Sequence, residues 1–122
     1  MFKGFVLSES LKDPTVLNDF NQIKVIVERH KEFTEKQKIW HDFKIKKIKK
    51  EIENVTQNLS KQMKKGWYAH FWDSKVVYVV LPKRVFKIPR ERRWKSNEYQ
   101  ECRRYALKHG VEERYLDFWI ED

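Results

Sequence analysis

Glycine and proline are scarce in this chain, three of each, so linkers and flexible tracts have almost no residues to be built from. The 122 residues read as one domain (1–122) with no internal repeat, no low-complexity tract and no linker, enough for one core and too few for two. Cysteine occurs once, as Cys102, which excludes an intrachain disulfide. The longest apolar run, residues 76–81, falls far short of the ~20 residues of a membrane-spanning helix. Phe5-Val6-Leu7 is too short for the apolar region of a signal peptide. Together these absences predict a cytoplasmic protein with no membrane segment. Also missing are a glycine-rich phosphate loop, a nucleophile elbow and zinc-ligand spacing, so no cofactor or metal is expected.

What is present is aromatic and charged. Aromatic residues make up 15% and charged residues 37% of the chain, and that much aromatic surface provides the burial a disordered chain lacks. The formal net charge is +9, for which acidic polymers are the natural partners, although lysine is also an ordinary solubilising residue.

The densest structural signal spans residues 66–88. Aromatic and β-branched residues fill it and turn residues punctuate it, which predicts a three-stranded antiparallel meander with two-residue turns at Asp73-Ser74 and Pro82-Lys83. One face then carries Trp67, Ala69, Phe71, Val76, Tyr78, Val80 and Val85. The other carries Tyr68, His70, Trp72, Val77, Val79, Phe86 and Ile88. Both faces are apolar, so both must be covered by helices, by the chain's own tail or by a second copy.

Around the meander, Phe2 to Ser8 suits a first strand, and Asp13-Pro14-Thr15 marks the start of one or two helical turns anchored by Val16, Leu17 and Phe20. Ile23, Val25 and Val27 alternate as a second strand. Residues 29–38 form a polar loop, and in a third strand Ile39, His41, Phe43 and Ile45 oppose Trp40, Asp42, Lys44 and Lys46. Ile48, Ile52, Val55, Leu59 and Met63 make one stripe along a central helix, residues 47–65, that stops at Gly66. Its other face, Lys50, Asn54, Gln57, Lys61 and Lys64, is polar. Ser96 caps a last helix over 97–109 that buries Tyr99, Cys102 and Ala106 and stops at Gly110. Leu116, Phe118 and Ile120 then recur at period two in a short strand or ordered tail. This order of elements is an α+β fold: a largely antiparallel sheet with two main helices packed on it.

The start Lys3-Gly4-Phe5-Val6-Leu7-Ser8-Glu9-Ser10-Leu11, the Gly66-Trp67-Tyr68-Ala69-His70-Phe71-Trp72 strand and Val85-Phe86-Lys87 together resemble a small uncharacterised prokaryotic protein family. The resemblance spans most of the chain and implies a single cytosolic α+β domain, with no activity, cofactor or catalytic residue to carry over. Its members begin the central helix with acids, where this chain has Lys46, Lys47, Lys49 and Lys50.

Three functional readings stand. In the first, the protein binds RNA or single-stranded DNA. Lys46, Lys47 and Lys50 crowd a helix N-terminus whose dipole already favours anions, Lys61 extends the basic face, and Arg90, Arg92 and Arg93 flank Trp94, a pairing of charge with a stacking plane. Each cluster reads equally as solvated surface. In the second, the protein is a homodimer with Tyr68, Trp72, Phe118 and Trp119 near the contact, because the last helix offers smaller side chains for covering its sheet face. In the third it is an enzyme built on His41 or His70, which requires one of them to meet a carboxylate in a concave pocket. No catalytic residue is assigned, and Cys102 reads as a buried small hydrophobe.

Overall fold

In the computed structural model, which describes residues 1–29, 39–47, 49–91 and 94–118, the meander forms as the alternation requires. Its strands are β4 (Ala69–Trp72), β5 (Val76–Leu81) and β6 (Arg84–Pro89). Pro82-Lys83 is a two-residue turn between paired Leu81 and Arg84, with Lys83 at φ 65°. The ring of Pro82 suits the first central position of such a turn and a positive φ suits the second. The first turn corrects the sequence reading. Asp73 accepts the amides of Lys75 and Val76 on one carboxylate oxygen at 2.8 and 2.9 Å, so the tip is Ser74-Lys75 and Trp72 pairs with Val77. This slides the register by two residues, which leaves the side chains of the paired strands on their expected faces; Trp67, expected on the first face, precedes β4 and lies against the Trp40 ring of the second.

Three more strands complete the sheet: β1 (Phe2–Leu7), β2 (Asn21–Arg29) and β3 (Ile39–Lys47). All neighbours are antiparallel in the order β2-β3-β1-β4-β5-β6, so the N-terminal strand lies inside the sheet. Gly4 permits this. A Cβ there would sit 2.3 Å from the Phe71 ring, which is itself fully buried. The loop expected between β2 and β3 falls mostly on residues outside those described. Between β1 and β2, Pro14–Asp19 forms a 3₁₀ helix, and Asp13 caps it by accepting the Thr15 amide at 3.1 Å.

The two faces of the sheet are covered by different elements. On the first, Phe2, Val6, Ile45, Ala69, Phe71, Tyr78 and Val80 pack against Leu11 and Leu17, against Ile52 and Leu59 of the central helix, and against Met63 just beyond it. That helix, α1, spans Ile52–Gln62, shorter at both ends than the period suggests. At its start the chain stays in β3 through Lys47, because Lys47 pairs with Phe2. At its end Met63 turns extended to bridge Leu11, and the Lys64 amide bonds to the Ser10 carbonyl at 2.8 Å. Ile48 lies outside the described residues.

On the second face, α2 (Asn97–Lys108) buries Tyr99, Cys102 and Ala106 against Trp72, Val77, Val79, Phe86 and Ile88. Ser96 caps it, its hydroxyl accepting the Tyr99 amide at 3.1 Å. The tail supplies what the small residues of α2 do not. A 3₁₀ turn, Glu113–Tyr115, delivers Leu116 and Phe118 into the core, and the Tyr68 hydroxyl donates to the Tyr115 carbonyl at 2.6 Å. Through Phe118 the tail is therefore ordered cover and not a strand; Ile120 lies outside the described residues. Among the described residues no helix is long and apolar enough to cross a membrane.

Candidate functional site

Strand register decides which charged side chains become neighbours. One row of directly opposed residues crosses the sheet from Lys46 through Lys3 and Trp72 to Val77 and Ile88. The next row runs from Lys24 through Lys44, Phe5 and His70 to Val79 and Phe86. Both rows lie on the second face. Over β4, β5 and β6 that face is buried under α2 and the tail, whereas over β2, β3 and β1 no described element covers it: Lys3, Lys24 and Lys46 are exposed and Lys44 and Phe5 half-buried. Four lysines thus share one patch on three adjacent strands, two of them facing two others directly. Among the described residues, Lys3, Lys24 and Lys46 take part in no ion pair.

This patch is not the basic cluster expected from sequence, although it includes Lys46. Lys46 and Lys47 end a strand and do not lie at a helix N-terminus, so the expected anion site on the helix dipole is not formed by them. Lys47 points to the opposite face, where its Nζ lies 3.0 Å from Glu51 and 5.2 Å from the centre of the Phe20 ring. Lys50 sits exposed in the 3₁₀ turn that precedes α1. Lys61 belongs to the last turn of α1, near Leu81 and Leu11 at the other end of the sheet. Arg90 follows β6 and donates to the Asp73 carbonyl at 2.9 Å, with Trp94 half exposed beyond it. Arg90 shares an end of the sheet with Lys46, four strand spacings or ~19 Å away. Arg92 and Arg93 lie outside the described residues.

The open face continues, away from the lysines, into a pocket of about 620 Å³. Its floor is sheet: Ile26 and Glu28 of β2, Trp40 and Asp42 of β3, Phe5 and Leu7 of β1 and His70 of β4. Its walls are Trp67, Tyr68 and Tyr115, brought in by the turns at Gly66 and Gly110, whose backbones meet when the Gly66 amide donates to the His109 carbonyl at 2.8 Å. Trp40 stands between Trp67 and Tyr115, with ring centres 5.3 and 5.8 Å away. Asp42 is half-buried, and its Oδ1, sealed from solvent, has no hydrogen-bond partner. Burial, then Glu28 and Glu9, pushes its carboxyl up to about 6.

The two histidines considered for catalysis have different settings. His70 is buried in a ladder of rings, stacked on Trp72 with centres 5.4 Å apart and tilted against Phe5 and Tyr68 at 5.9 and 6.0 Å. His41 lies on the first face, largely exposed, with Nδ1 2.8 Å from Glu9 Oε2 while its amide donates to Glu9 Oε1. Burial alone would raise the Glu9 carboxyl, but the His41 amide, the Ser8 hydroxyl and the His41 ring outweigh it and hold it below its ordinary value. This carboxylate–histidine pair meets a catalytic requirement in hydrogen bonding but lines no part of the pocket. Burial pushes the Cys102 thiol up to about 12 against the opposing charge of Arg84, which keeps it protonated and inert.

Of the four residues expected at a dimer contact, two are buried within the chain. Trp72 and Phe118 are 3% and 1% exposed and Tyr68 is half-buried, so the first two offer no surface to a partner; Trp119 lies outside the described residues. The sequence alone singles out Lys46 but not Lys3, Lys24 or Lys44, because their adjacency is a matter of pairing between distant segments. The pocket has five contributing segments and no local signature. No protein-family model, curated protein or solved structure matches the chain.

Proposed function

We propose that the chain is a small binding protein for an anionic polymer, RNA or single-stranded DNA, held on the open half of the sheet by Lys3, Lys24, Lys44 and Lys46. The observation that carries this reading is the direct opposition of Lys46 with Lys3 and of Lys24 with Lys44 on one uncovered face. Like charges directly opposite on a sheet cost roughly 0.2–1 kcal/mol per pair, and local rules broken in this way concentrate at functional sites. Phosphates laid across the strands would relieve both pairs. Phe5 lies half-buried beside Lys44 in the same row, an aromatic ring next to the charges that would hold a backbone.

Fluorescence anisotropy with short labelled RNA and DNA strands of mixed sequence tests this. With four phosphates neutralised, log K should fall against log salt with a slope of about −3. Replacing Lys24 and Lys44 together by Ala should roughly halve that slope. An absence of binding at low salt, or a slope indifferent to that double substitution, would refute the assignment.

A further inference from the structure

The pocket at the far end of the same face has a chemistry opposite to that of the lysine patch. We propose that it binds an organic cation, an ammonium or guanidinium group carried on an apolar body. This goes beyond the polymer reading and does not depend on it.

Two independent features point to a cation. The first is the lining. Trp40, Trp67, Tyr68 and Tyr115 border one space, and aromatic faces attract cations within about 6 Å, most strongly where water is excluded. The second is Asp42, a half-buried carboxylate whose Oδ1 is sealed from solvent and lacks any donor, diagonal to Glu28 on the neighbouring strand, which repels it. A buried acceptor left unmade is costly, and it is found here in a chain of net charge +9. A phosphate would be repelled by this floor. A neutral apolar ligand would fill the volume and leave Oδ1 without a donor. A cation satisfies the acid and the rings together, and the volume lies within the usual range for small-molecule sites.

At the rim one acid is already paired and one lysine is held out in solvent. Glu112 accepts from Arg114 Nε at 2.8 Å, Lys65 is exposed, and the Arg114 guanidinium lies 4.9 Å from the centre of the Tyr115 ring. One wall of the pocket is therefore already in contact with a guanidinium on the protein's own surface.

The test is an NMR titration of the whole chain with choline and with its neutral carbon isostere, in which a quaternary carbon replaces the nitrogen. Choline should shift the indole signals of Trp40 and Trp67 and the amides of Gly66 and Gly110 in a saturable manner, and the isostere should bind about tenfold more weakly. Asp42→Asn should weaken choline by about tenfold. Glu28→Gln, on the edge strand, should weaken it in the same direction and serves if the Asp42 variant fails to fold. Equal affinity for choline and its isostere, unchanged affinity in the folded variants, or no shifts under saturating choline would overturn the proposal.

Discussion

Replacing Asp42 by Asn should make this protein more stable, and the size and pH dependence of the gain follow from where Asp42 sits. Its carboxyl is half-buried on β3, where it opposes Ile26 and lies diagonal to Glu28, and its Oδ1 is sealed from solvent with no donor. Burial first, then repulsion from Glu28 and Glu9, moves its pKa from the ordinary 3.8 to about 6. One pKa unit corresponds to about 1.4 kcal/mol, so a fully desolvated group would cost the folded state about 3 kcal/mol at neutral pH. Asp42 keeps part of its solvent contact, and screening reduces the figure to roughly 1.5 kcal/mol. Because the folded state holds the proton more tightly than the unfolded chain, the protonated carboxyl is tolerated at low pH and stability is lost as pH rises from about 4 through about 6. Asn cannot ionise and escapes this loss. Urea unfolding at pH 7.5 should therefore show Asp42→Asn more stable by about 1.5 kcal/mol, or about 6 °C in Tm for a chain of this size. The gap should shrink steadily as the pH is lowered towards 4. A variant less stable at pH 7.5, or a gain that does not change with pH, would show that Asp42 is not a buried charge.

Two further substitutions probe the frame that holds the site. Gly4→Ala places a methyl 2.3 Å from the Phe71 ring in a filled core, an overpacking that should cost about 2–3 kcal/mol and be read as a fall in urea midpoint; near-neutral behaviour would mean that β1 and β4 can separate at little cost. Lys83→Gly relieves a positive φ of 65° at the tip of the β5–β6 turn, and calorimetry should find a gain of about 0.5–1 kcal/mol after the entropic cost of glycine is subtracted. A loss of stability there would mean that the lysine side chain contributes more than the turn strain removes.

Much of the fold was legible in sequence because it is encoded locally. The meander's two faces follow from strict alternation, and they survive even the misplaced Asp73-Ser74 turn, since a two-residue slide preserves parity. Ser96, the buried trio Tyr99, Cys102 and Ala106, and Gly110 define α2 without help from the rest of the chain. The start of α1 was not legible. Residues 44–47 fit a strand end as well as a helix start, and the choice is made by Phe2, which pairs with Lys47 from the other end of the sequence. The same non-locality hides the sites. Lys3 meets Lys46, Lys24 meets Lys44, and Trp40 meets Trp67 and Tyr115 only after the sheet has its register and the tail has docked. Asp42 is visible as an acid on the Trp40 face, but nothing near it in sequence says that a roof will close over it.

The interior position of β1 also dictates the order in which this sheet can be completed. The hairpin of β2 and β3 and the meander of β4, β5 and β6 are each contiguous in sequence and can pair as soon as they are synthesised. The first strand to leave the ribosome has no final partner until β3 exists, and its second edge stays unpaired until β4 follows. Two local units of low contact order are thus joined by one non-local strand, which makes the docking of β1 the step that carries the loop-closure entropy. Until that step the lysine patch and the aromatic pocket belong to different pieces of chain, and neither is complete.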